Sequence, residues 1–471
     1  MVKKVGILGF GIVGKSVLKF LRAKNSDLEI SVWDQKELND SEKELIKSLG
    51  AKLSDYALKD FFIYHDQVVV SPGIPLDKFA EYKNKYLCEL DFFSDDFRQK
   101  TIAVTGTLGK TTIVNLLSEL ISLIDRNLKV AAAGNIGTGM LDLIYEPKVD
   151  LAVLQLSSFQ LALNKKFSPD VAIVTNFYPN HLDWHSDVDD YFDSKCKIFE
   201  NQKVGQYVIL PASFLQNKRF LKKLETIKSD IYFVCDPFDC ASKRCFAPTF
   251  AEASAVAKAM ADRSAGRQGE RRGERFYFFQ EKDNLLFLGD KKIFDLNLLP
   301  DFSFRQNWLF VLAAMYLLGL DLSGVVLKKE RAFLPHRLEH FATINGVDFY
   351  NDSKSTIMQA TLAALKKLDQ KNKPIILILG GLSKGVDRKP FVKDLASIKN
   401  LKKVFCFGCE CKIFEDFENF KTLQENLNAV IKIAKKGDLV LFSPGGSSFD
   451  LFKNYAYRGE IFKQMVFQLN I

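Results

Sequence analysis

A glycine turn followed by a lysine and two threonines is the stretch of this chain best suited to bind phosphate. It follows the β-branched run at residues 102–105 and contains Gly106, Thr107, Gly109, Lys110, Thr111 and Thr112. A strand, a glycine turn and a helix start aim backbone N–H groups at an anion, and the lysine adds a full positive charge. A hydroxyl directly after the lysine can ligate the Mg²⁺ that accompanies a nucleoside triphosphate. The stretch therefore predicts a nucleotide site. An ordinary turn is the alternative, because the two glycines are closer together than in G-x-x-x-x-G-K-[ST].

A second group of chemically capable residues follows the strand-like run at residues 171–176. His181, Asp183 and His185 come after that run, and Lys195 lies on the helical segment beyond it. Apolar runs that end in polar residues, separated by helical stretches, indicate a parallel sheet whose C-terminal edge lines a cleft. We expect these side chains at the mouth of that cleft, with a structural loop role for a histidine as the alternative.

The N-terminal residues contain a G-x-G-x-x-G pattern from Gly9 to Gly14, and a second strand ends at Asp34. Together these features are similar to a dinucleotide site, but the pattern is weak on its own. It predicts a βαβ unit that can hold a diphosphate, without identifying the nucleotide. A third strand leads into a rigid loop at residues 71–75, which could also be an ordinary turn.

Three polar or glycine-rich clusters each follow a strand-like run in the last third of the chain. They lie at residues 351–356, 380–385 and 443–448. Each cluster alone could be a turn with a helix cap. Because all three follow strands, they predict a binding edge on another α/β domain.

The composition favours a multidomain globular protein that handles phosphorylated small molecules. The chain has 471 residues, 47% hydrophobic and 26% charged, with a formal net charge of +9. Its lysines are scattered, so we expect a solvated basic surface and no nucleic-acid partner. No signal peptide and no apolar span long enough for a bilayer are visible, which predicts a cytoplasmic protein without membrane insertion.

Two further stretches carry structural expectations. The eight cysteines are irregularly spaced, so a disulfide framework is not expected. The cluster of Cys406, Cys409 and Cys411 favours a strand end over a zinc site, since no second ligand pair follows. The glycine-broken run of mixed charge at residues 267–275 is typical of an exposed, mobile loop.

Together these stretches resemble the Mur ligases, and within them the D-glutamate-adding branch. The resemblance covers nearly the whole chain, and it is weakest at residues 212–301. It is carried by the motifs T-G-T-x-G-K-T-T, G-N-I-G, L-S-S-F-Q-L, N-H-L-D, Y-x-x-[AS]-K, L-P-H-R, N-D-S-K-x-T, L-G-G-x-x-K-G and S-P-x-x-x-S-x-D-x-F-K-N-[FY].

The resemblance implies an α/β chain of three domains and assigns each a substrate. Residues 1–92 would form a Rossmann-like domain for the UDP substrate, and 93–332 a P-loop ATPase-like domain with a mostly parallel sheet for ATP. Residues 333–471 would form a Rossmann-like domain for the amino acid. The implied reaction adds D-glutamate to UDP-N-acetylmuramoyl-L-alanine, using ATP to form an acyl phosphate during peptidoglycan synthesis. A monomer is expected.

The resemblance also implies roles for individual residues. Lys110 and Thr111 would hold the ATP phosphates and Mg²⁺, and His181 a second Mg²⁺. Lys195 would be carbamylated, giving an anionic oxygen ligand. The rest of the ATP cleft would be lined by Gln306, Asn307, Arg337 and Asp352. The UDP substrate would contact Ile12, Val13, Gln35, Ser71, Pro72, Gly73 and Asn135. D-Glutamate would contact Thr356, Lys384, Ser448 and Tyr455.

Three residues depart from the pattern of this family. A metal-binding glutamate of the family is Gln155 here, which can still offer an amide oxygen to Mg²⁺ but brings no charge. Leu108 replaces a frequent asparagine in the phosphate loop, and little should follow because the backbone makes most contacts there. Phe310 replaces a common asparagine near adenine, so that adenine contact is not expected.

Other functions stay open at this point. A different Mur ligase or a folylpolyglutamate synthase would share the core and use another amino acid. A degenerate relative could bind a nucleotide or UDP-sugar without turnover, and Gln155 is the residue that supports it. An NAD dehydrogenase would leave Lys110 and Thr111 without a role.

Overall fold

The computed structural model describes residues 2–74, 77–146, 148–224, 226–235, 276–299, 304–325, 335–414 and 416–469. The run at 267–275 therefore lies outside the described residues. The chain divides into two compact units, one of Met1–Phe177 with Asp189–Lys329 and one of Tyr178–Val188 with Glu330–Ile471. None of the described helices is long and apolar enough to cross a membrane.

The first sheet is parallel and has the strand order β3-β2-β1-β4-β5. Its strands are β1 Lys4–Leu8, β2 Glu29–Trp33, β3 Lys52–Leu53, β4 Gln67–Val70 and β5 Tyr86–Leu87. The helices are α1 Ile12–Lys24, α2 Asp40–Ser48, α3 Leu58–Tyr64 and α4 Glu89–Asp96, with a 3₁₀ turn Asp77–Lys85. The strand order reverses between β1 and β4, which is where open α/β sheets bind ligands.

The second sheet places β6 between β8 and β9, in the order β14-β13-β12-β11-β10-β9-β6-β8-β7. All pairings are parallel except those of β13 with its two neighbours. The strands are β6 Lys100–Thr105, β7 Val130–Gly134, β8 Leu151–Gln155, β9 Val171–Val174, β10 Tyr207–Pro211, β11 Asp230–Cys235, β12 Phe276–Lys282, β13 Leu285–Leu288 and β14 Lys291–Asp295. The loops after β6, β8 and β9 therefore meet at one edge.

The helices that accompany this sheet are α5 Lys110–Ile124, α6 Asp142–Tyr145, α7 Ser158–Ala162, α8 Val188–Glu200, α9 Lys218–Leu224 and α10 Arg305–Leu317, with 3₁₀ turns Ala212–Gln216, Leu296–Leu298 and Leu322–Gly324. Helices α5 and α10 pack into the same apolar core on one side of the sheet. In α10, Trp308 and Phe310 are each 1% exposed, so Phe310 is a core residue.

The third sheet has the order β15-β16-β20-β17-β18-β19, and only β15 is antiparallel. Its strands are β15 Glu339–Ile344, β16 Val347–Asn351, β17 Ile375–Gly380, β18 Leu401–Phe407, β19 Glu418–Phe420 and β20 Leu439–Phe442. The helices are α11 Met358–Asp369, α12 Pro390–Leu395, α13 Leu423–Ile433 and α14 Tyr455–Phe467, with a 3₁₀ turn Cys411–Ile413. Apolar clusters cover both faces of this sheet.

These sheets confirm the predicted α/β class, with Rossmann-like first and last regions and a P-loop-type central region. The predicted strand at Cys406 is also confirmed, as part of β18. The expectation of no disulfide framework missed one bond, which joins Cys406 to Cys411. The bond forms because the turn after β18 brings the chain back beside the strand end.

Helix α4 contributes to packing through its first residue, Glu89. Glu89 is 3% exposed, and its Oε1 accepts a hydrogen bond of 2.8 Å from the N–H of Met140. Burial raises the pKa of Glu89 to about 7. Gly139, beside Met140, fits against Ser16 of α1, because a Cβ there would lie 2.4 Å from the Ser16 side chain. These contacts join the first and second sheets within one unit.

Substituting Gly134 by alanine tests the close packing at the end of β7. Gly134 has a φ of +95°, and a Cβ there would lie 2.3 Å from the carbonyl oxygen of Gln155. Gly205 has a φ of +85° with nothing nearby, so Gly205→Ala is a matched control for backbone conformation. We expect Gly205→Ala to cost about 1 kcal/mol of stability. Gly134→Ala should cost about 1–3 kcal/mol more because it adds a steric clash. Urea unfolding measures both, and equal costs would contradict the packing described.

Candidate active site

The phosphate-type loop between β6 and α5 requires its two glycines. Gly106 has a φ of +137°, and a Cβ there would lie 2.0 Å from Thr175 Oγ1. Gly109 caps α5 with a φ of +83°, and a Cβ there would lie 2.7 Å from Asn307 Oδ1. No side chain fits at either position. The loop thus follows the end of β9 closely and brings Asn307 of α10 beside the helix start.

Side chains that follow β9 hold this loop through hydrogen bonds to its backbone. Asn176 Oδ1 accepts hydrogen bonds from the N–H groups of Thr107 and Leu108, at 3.2 and 2.8 Å. Thr175 Oγ1 donates to the carbonyl oxygen of Leu108 at 2.5 Å. In these contacts Leu108 uses its backbone alone, which fits the expectation that its side chain matters little.

Two lysines converge on one carbonyl oxygen of the loop. Lys110 Nζ lies 2.6 Å from the oxygen of Gly106, and Lys195 Nζ from α8 lies 2.9 Å from the same atom. Lys195 is 3% exposed. Burial, and secondarily the charge of Lys110, lower the pKa of Lys195 well below its usual range. The arrangement places the charge of Lys110 where the loop can receive an anion, and it favours the neutral, nucleophilic form of Lys195.

Tyr191 completes this cluster, and the sequence analysis gave it no role. Its hydroxyl lies 3.2 Å from Thr107 Oγ1, and its ring centroid lies 4.5 Å from Lys195 Nζ. Residues four apart on a helix share a face, so the spacing of Tyr191 and Lys195 was an available signal. Tyr191 walls the lysine from solvent with an aromatic ring.

Gln155, at the end of β8, presents an oxygen that lacks a partner. Its Nε2 donates to the carbonyl oxygen of Asn135 at 2.7 Å, whereas Oε1 is buried and has no hydrogen-bond partner among the described residues. A buried amide oxygen without a donor is unfavourable unless something else binds it. Among the described residues no cluster of three His, Cys, Asp or Glu could hold a metal. A metal at this edge would therefore need other ligand types.

The remaining predicted ATP residues of this unit lie around the same loop. Thr111 is half-buried on the first turn of α5, and Thr112 is buried behind it. Gln306 is half-buried and Asn307 is buried in the first turn of α10. The structure thus places Lys110 and Thr111 on the first turn of α5, Asn307 on the first turn of α10, Gln155 at the end of β8 and Lys195 within α8.

The predicted UDP-substrate residues follow β1, β2 and β4 of the first sheet, except for Asn135, which follows β7 of the second sheet. Ser71 Oγ donates to the carbonyl oxygen of Gly9 at 2.9 Å, so the loops after β1 and β4 touch. Ile12 is 52% exposed at the start of α1. The other predicted residues are Val13, Ser71 and Pro72, which are half-buried, and Gln35, Gly73 and Asn135, which are exposed.

Asp34 does not present its carboxylate as it would for a dinucleotide ribose. Its Oδ2 accepts from the N–H of Phe10 at 2.6 Å, and its Oδ1 accepts from the N–H of Lys36 at 2.8 Å. The carboxylate is used to close the glycine loop on itself. These hydrogen bonds explain why an acidic residue stands at position 34 without invoking a nicotinamide dinucleotide.

His181 lies on the loop Tyr178–Val188, which belongs to the second unit. It is half-buried and adopts a φ of +57°. Its carbonyl oxygen accepts from the N–H groups of Trp184 and His185, at 3.1 and 2.9 Å. His185 is 2% exposed and packs edge-on against Trp184, so it is a structural residue. Lys195 belongs to the first unit, and the structure does not bring these two predicted metal ligands into one unit.

Asp352 joins three strand ends of the third sheet. Its Oδ1 accepts from the N–H of Leu338 at 3.0 Å, and its Oδ2 accepts from the hydroxyls of Ser355 and Ser443 at 2.5 and 2.7 Å. Burial raises the pKa of Asp352 to about 6, although these hydrogen bonds and the charge of Arg337 favour the ionised form. Arg337 itself is half-buried next to Leu338. Asp352 therefore orders the predicted ATP and amino-acid loops together.

The predicted amino-acid residues lie on loops that pair with each other. Leu382 and Ser447 form an antiparallel bridge with hydrogen bonds of 2.9 and 2.8 Å, which places Lys384 and Ser448 close to the same crossing. Ser448 is buried, whereas Thr356 and Tyr455 are half-buried. Lys354 Nζ lies 3.6 Å from the ring centroid of Tyr455, so that ring borders a cation.

Arg458 is a buried residue of this region that the sequence analysis did not single out. It is 0% exposed, and it donates to Ser353 Oγ and O and to the carbonyl oxygen of Gly446 at 2.8–3.0 Å. Burial lowers its pKa to about 10. Its burial depends on contacts distant in sequence, so no local pattern could have shown it.

Three family models match the chain. A Mur ligase MurD-like N-terminal domain matches residues 3–83, a Mur ligase middle domain matches 104–236, and a Mur ligase glutamate ligase domain matches 336–446. The UDP-N-acetylmuramoylalanine–D-glutamate ligase of Thermosipho africanus is 30% identical, with 99% of each chain covered. That of Thermosipho melanesiensis is 31% identical, with 99% of this chain and 98% of the relative covered.

Solved structures with a similar fold come from two kinds of ligase. A pseudomurein peptide ligase type C from Methanothermus fervidus has a TM-score of 0.55 at 15% identity, with 98% of this chain and 100% of that chain covered. The E. coli FolC protein in complex with DHPP and ADP has a TM-score of 0.55 at 14% identity, with 84% and 99% covered. At these identities the likeness concerns the fold alone.

The protonation state of Lys384 predicts that carboxylate binding weakens at alkaline pH. Burial lowers the pKa of Lys384 to about 8; nearby Asp183 opposes this shift and Arg458 adds to it. Lys384 is therefore cationic below pH 8 and loses its charge above it. We expect the Kd of glutarate, a dicarboxylate without an amine, to vary little between about pH 6 and 7, where both carboxylates are ionised, and to rise about tenfold per pH unit above 8. Calorimetry measures this.

Lys384→Arg is the matched control for this prediction, because guanidinium stays charged throughout this pH range. Its glutarate affinity should vary much less between pH 7 and 10. A flat profile in the wild-type protein would rule out Lys384 as the cation that binds the carboxylate.

Proposed function

Because the chain belongs to the Mur ligase family, we propose that it is an ATP-dependent ligase that adds D-glutamate to UDP-N-acetylmuramoyl-L-alanine. The observation that carries the proposal is the pair Lys110 and Lys195 on the Gly106 carbonyl, at the N-terminus of α5. A carboxylate is a poor electrophile, and a phosphate leaving group makes it reactive. ATP would phosphorylate the substrate carboxylate, and the amine of D-glutamate would displace phosphate to form the amide.

The phosphate loop would bind and orient ATP. Backbone N–H groups of Gly106, Gly109 and the first turn of α5 would face the phosphates, and Lys110 would exchange its loop carbonyls for phosphate oxygens. Thr112 is buried and supports this turn. Gln306, Asn307, Arg337 and Asp352 would border the nucleotide. Much of phosphoryl-transfer catalysis is positioning and charge compensation, which a preformed cationic loop supplies.

Magnesium fits the donor set of this region. The unpartnered Oε1 of Gln155 and the hydroxyl of Thr111 are hard oxygen donors, and His181 would contribute to a second ion. When bound, Mg²⁺ would neutralise the charge that develops on the transferring phosphoryl group.

Carbamylation would give the Lys195 side chain an oxygen atom that can ligate a metal ion. Its lowered pKa favours the neutral amine. The nitrogen lone pair attacks the carbon of CO₂, a proton leaves the nitrogen, and the product is an anionic carbamate. The carbamate would place a buried anion beside the ammonium group of Lys110, so that the two side chains carry opposite charges.

The other substrates would occupy the first and third sheets. Residues 1–92 would bind the UDP part through Ile12, Val13, Gln35, Ser71, Pro72 and Gly73, with Asn135 on the muramoyl group. Residues 93–332 would bind ATP. Residues 333–471 would bind D-glutamate through Thr356, Lys384, Ser448 and Tyr455, with Lys384 on a carboxylate. We propose that the protein acts as a monomer in the cytoplasm, where ATP and UDP-linked precursors are available.

Gln155 supports one competing function, a relative that binds nucleotide or UDP-sugar without turnover. The amide has no charge for a metal, and its Nε2 is engaged with Asn135. The unpartnered Oε1 favours the active enzyme, because that atom is still available as a ligand.

Phosphate release with ATP, Mg²⁺ and UDP-N-acetylmuramoyl-L-alanine tests the proposal across D-glutamate, L-glutamate and other amino acids. We expect release to depend on D-glutamate, and Lys110→Ala to abolish it by removing charge compensation. Release with a different amino acid would identify another amide ligase. Binding of both nucleotides without release would identify the degenerate relative.

Gln155→Glu tests the metal role of that residue. A carboxylate adds a negative charge beside Mg²⁺, so we expect the Mg²⁺ concentration for half-maximal turnover to fall severalfold. The same change removes the donor to the Asn135 carbonyl, so turnover at saturating Mg²⁺ should change little or fall slightly. Gln155→Leu is the control, since it removes the oxygen and should raise the Mg²⁺ requirement. An unchanged requirement in both variants would place the metal elsewhere.

A further inference from the structure

The turn after β18 contacts the predicted amino-acid loop through Glu410. Glu410 Oε2 accepts a hydrogen bond of 2.7 Å from the N–H of Ser383, the residue directly before Lys384. Arg388 Nη2 lies 3.2 Å from the same oxygen. One carboxylate oxygen therefore holds both the backbone that leads into Lys384 and a cation that follows it in sequence.

Lys384 needs such support because of its backbone conformation. It has a φ of +55°, a left-handed region that costs a residue with a Cβ free energy and persists only where neighbours fix it. On one side the loop is fixed by the bridge between Leu382 and Ser447. On the other side Gly385 packs against the loop that contains Leu182, since a Cβ on Gly385 would lie 3.4 Å from the Leu182 backbone. The Ser383 amide between these two anchors is fixed by Glu410.

Arg388 makes this support sensitive to charge. It is 3% exposed, its Nη1 lies 3.4 Å from the carbonyl oxygen of Gly380, and its guanidinium lies 5.3 Å from the Phe414 ring centroid. Glu410 is the carboxylate paired with it. A buried arginine that loses its carboxylate is strongly unfavourable. Loss of the Glu410 charge would thus displace Arg388, and with it the segment from Gly380 to Arg388 that contains Lys384.

The turn that carries Glu410 is itself constrained. The N–H of Gly408 donates to the carbonyl oxygen of Phe420 at 3.1 Å, which ties the turn to the end of β19. Gly408 has a φ of +98°, and a Cβ there would lie 2.7 Å from Asp450 Oδ2. Glu410 is therefore presented from a rigid part of the third sheet and can act as a fixed support.

We propose that Glu410 and Arg388 are positioning residues. They set the affinity for the incoming amino acid by holding Lys384 in the position from which it binds the carboxylate of that amino acid. This inference rests on the proposed function and deepens it, since neither residue was assigned a role in the reaction. Neither residue needs to touch the substrate. Their effect is carried by the Ser383 amide and the short loop between Lys384 and Arg388.

Steady-state kinetics of Glu410→Ala and Glu410→Gln test the proposal. We expect Glu410→Ala to raise the KM for D-glutamate about tenfold, the factor that corresponds to about 1.4 kcal/mol. Glu410→Gln keeps an acceptor for the Ser383 amide and loses the charge, so its KM should rise less, to an intermediate value. The values of kcat and of KM for ATP and the UDP substrate should stay near those of the wild type. Glutarate affinity by calorimetry should weaken in the same order.

Glu418→Gln is the matched control, because Glu418 forms an exposed ion pair with Lys403 at 2.8 Å on the neighbouring strand. It should leave every value unchanged. A merely structural role for Glu410 would lower kcat or thermal stability and leave the KM for D-glutamate unchanged, and that result would overturn the inference. If the wild type shows no turnover with D-glutamate, the proposed function fails, while the order of glutarate affinities still decides the role of Glu410.

Discussion

The central constraint on this molecule is the meeting of two lysine side chains, one of them buried, on a single carbonyl oxygen. Lys110 and Lys195 both reach the oxygen of Gly106, where two ammonium groups would repel each other. Such an arrangement is favourable only when an anion or a neutral amine relieves the repulsion. Glycine at position 106, the Asn176 and Thr175 hydrogen bonds and the Tyr191 ring all keep the carbonyl where both lysines reach it.

The third sheet also contains buried charged side chains, and their hydrogen bonds are made within the protein. Asp352 and Arg458 are both buried, and each connects backbone or hydroxyl groups from different loops. A fully satisfied polar group in a low-dielectric interior fixes geometry more strictly than apolar contacts do. The loops after β16 and β20 are thereby held in one arrangement, and the Leu382–Ser447 bridge joins the loop after β17 to them. Lys384 can then present its charge from a conformation that an isolated loop would not keep.

Local patterns in the sequence were sufficient to predict most strands and the glycine loops. Apolar runs that end at Gly106, Gly134 and Gly380 mark the ends of buried parallel strands, because such strands are hydrophobic on both faces. The resemblance to the Mur ligases supplied the residues around those ends. The structure places Lys110 and Lys195 on one carbonyl oxygen and Asn307 beside Gly109, while their roles in binding stay predictions. Glu89, Glu410, Arg458 and the Cys406–Cys411 bond were not predicted, because each depends on contacts between distant segments.

The position of β20 has a consequence for how the protein is made. This strand lies between β16 and β17, although it is the last strand of its sheet to leave the ribosome. Until it arrives, the nascent chain holds two strands whose inner edges have no partner, and unpaired edges promote aggregation. The last sheet therefore assembles only after β20 has been synthesised. A chain that stalls before Leu439 would expose both edges to other nascent chains.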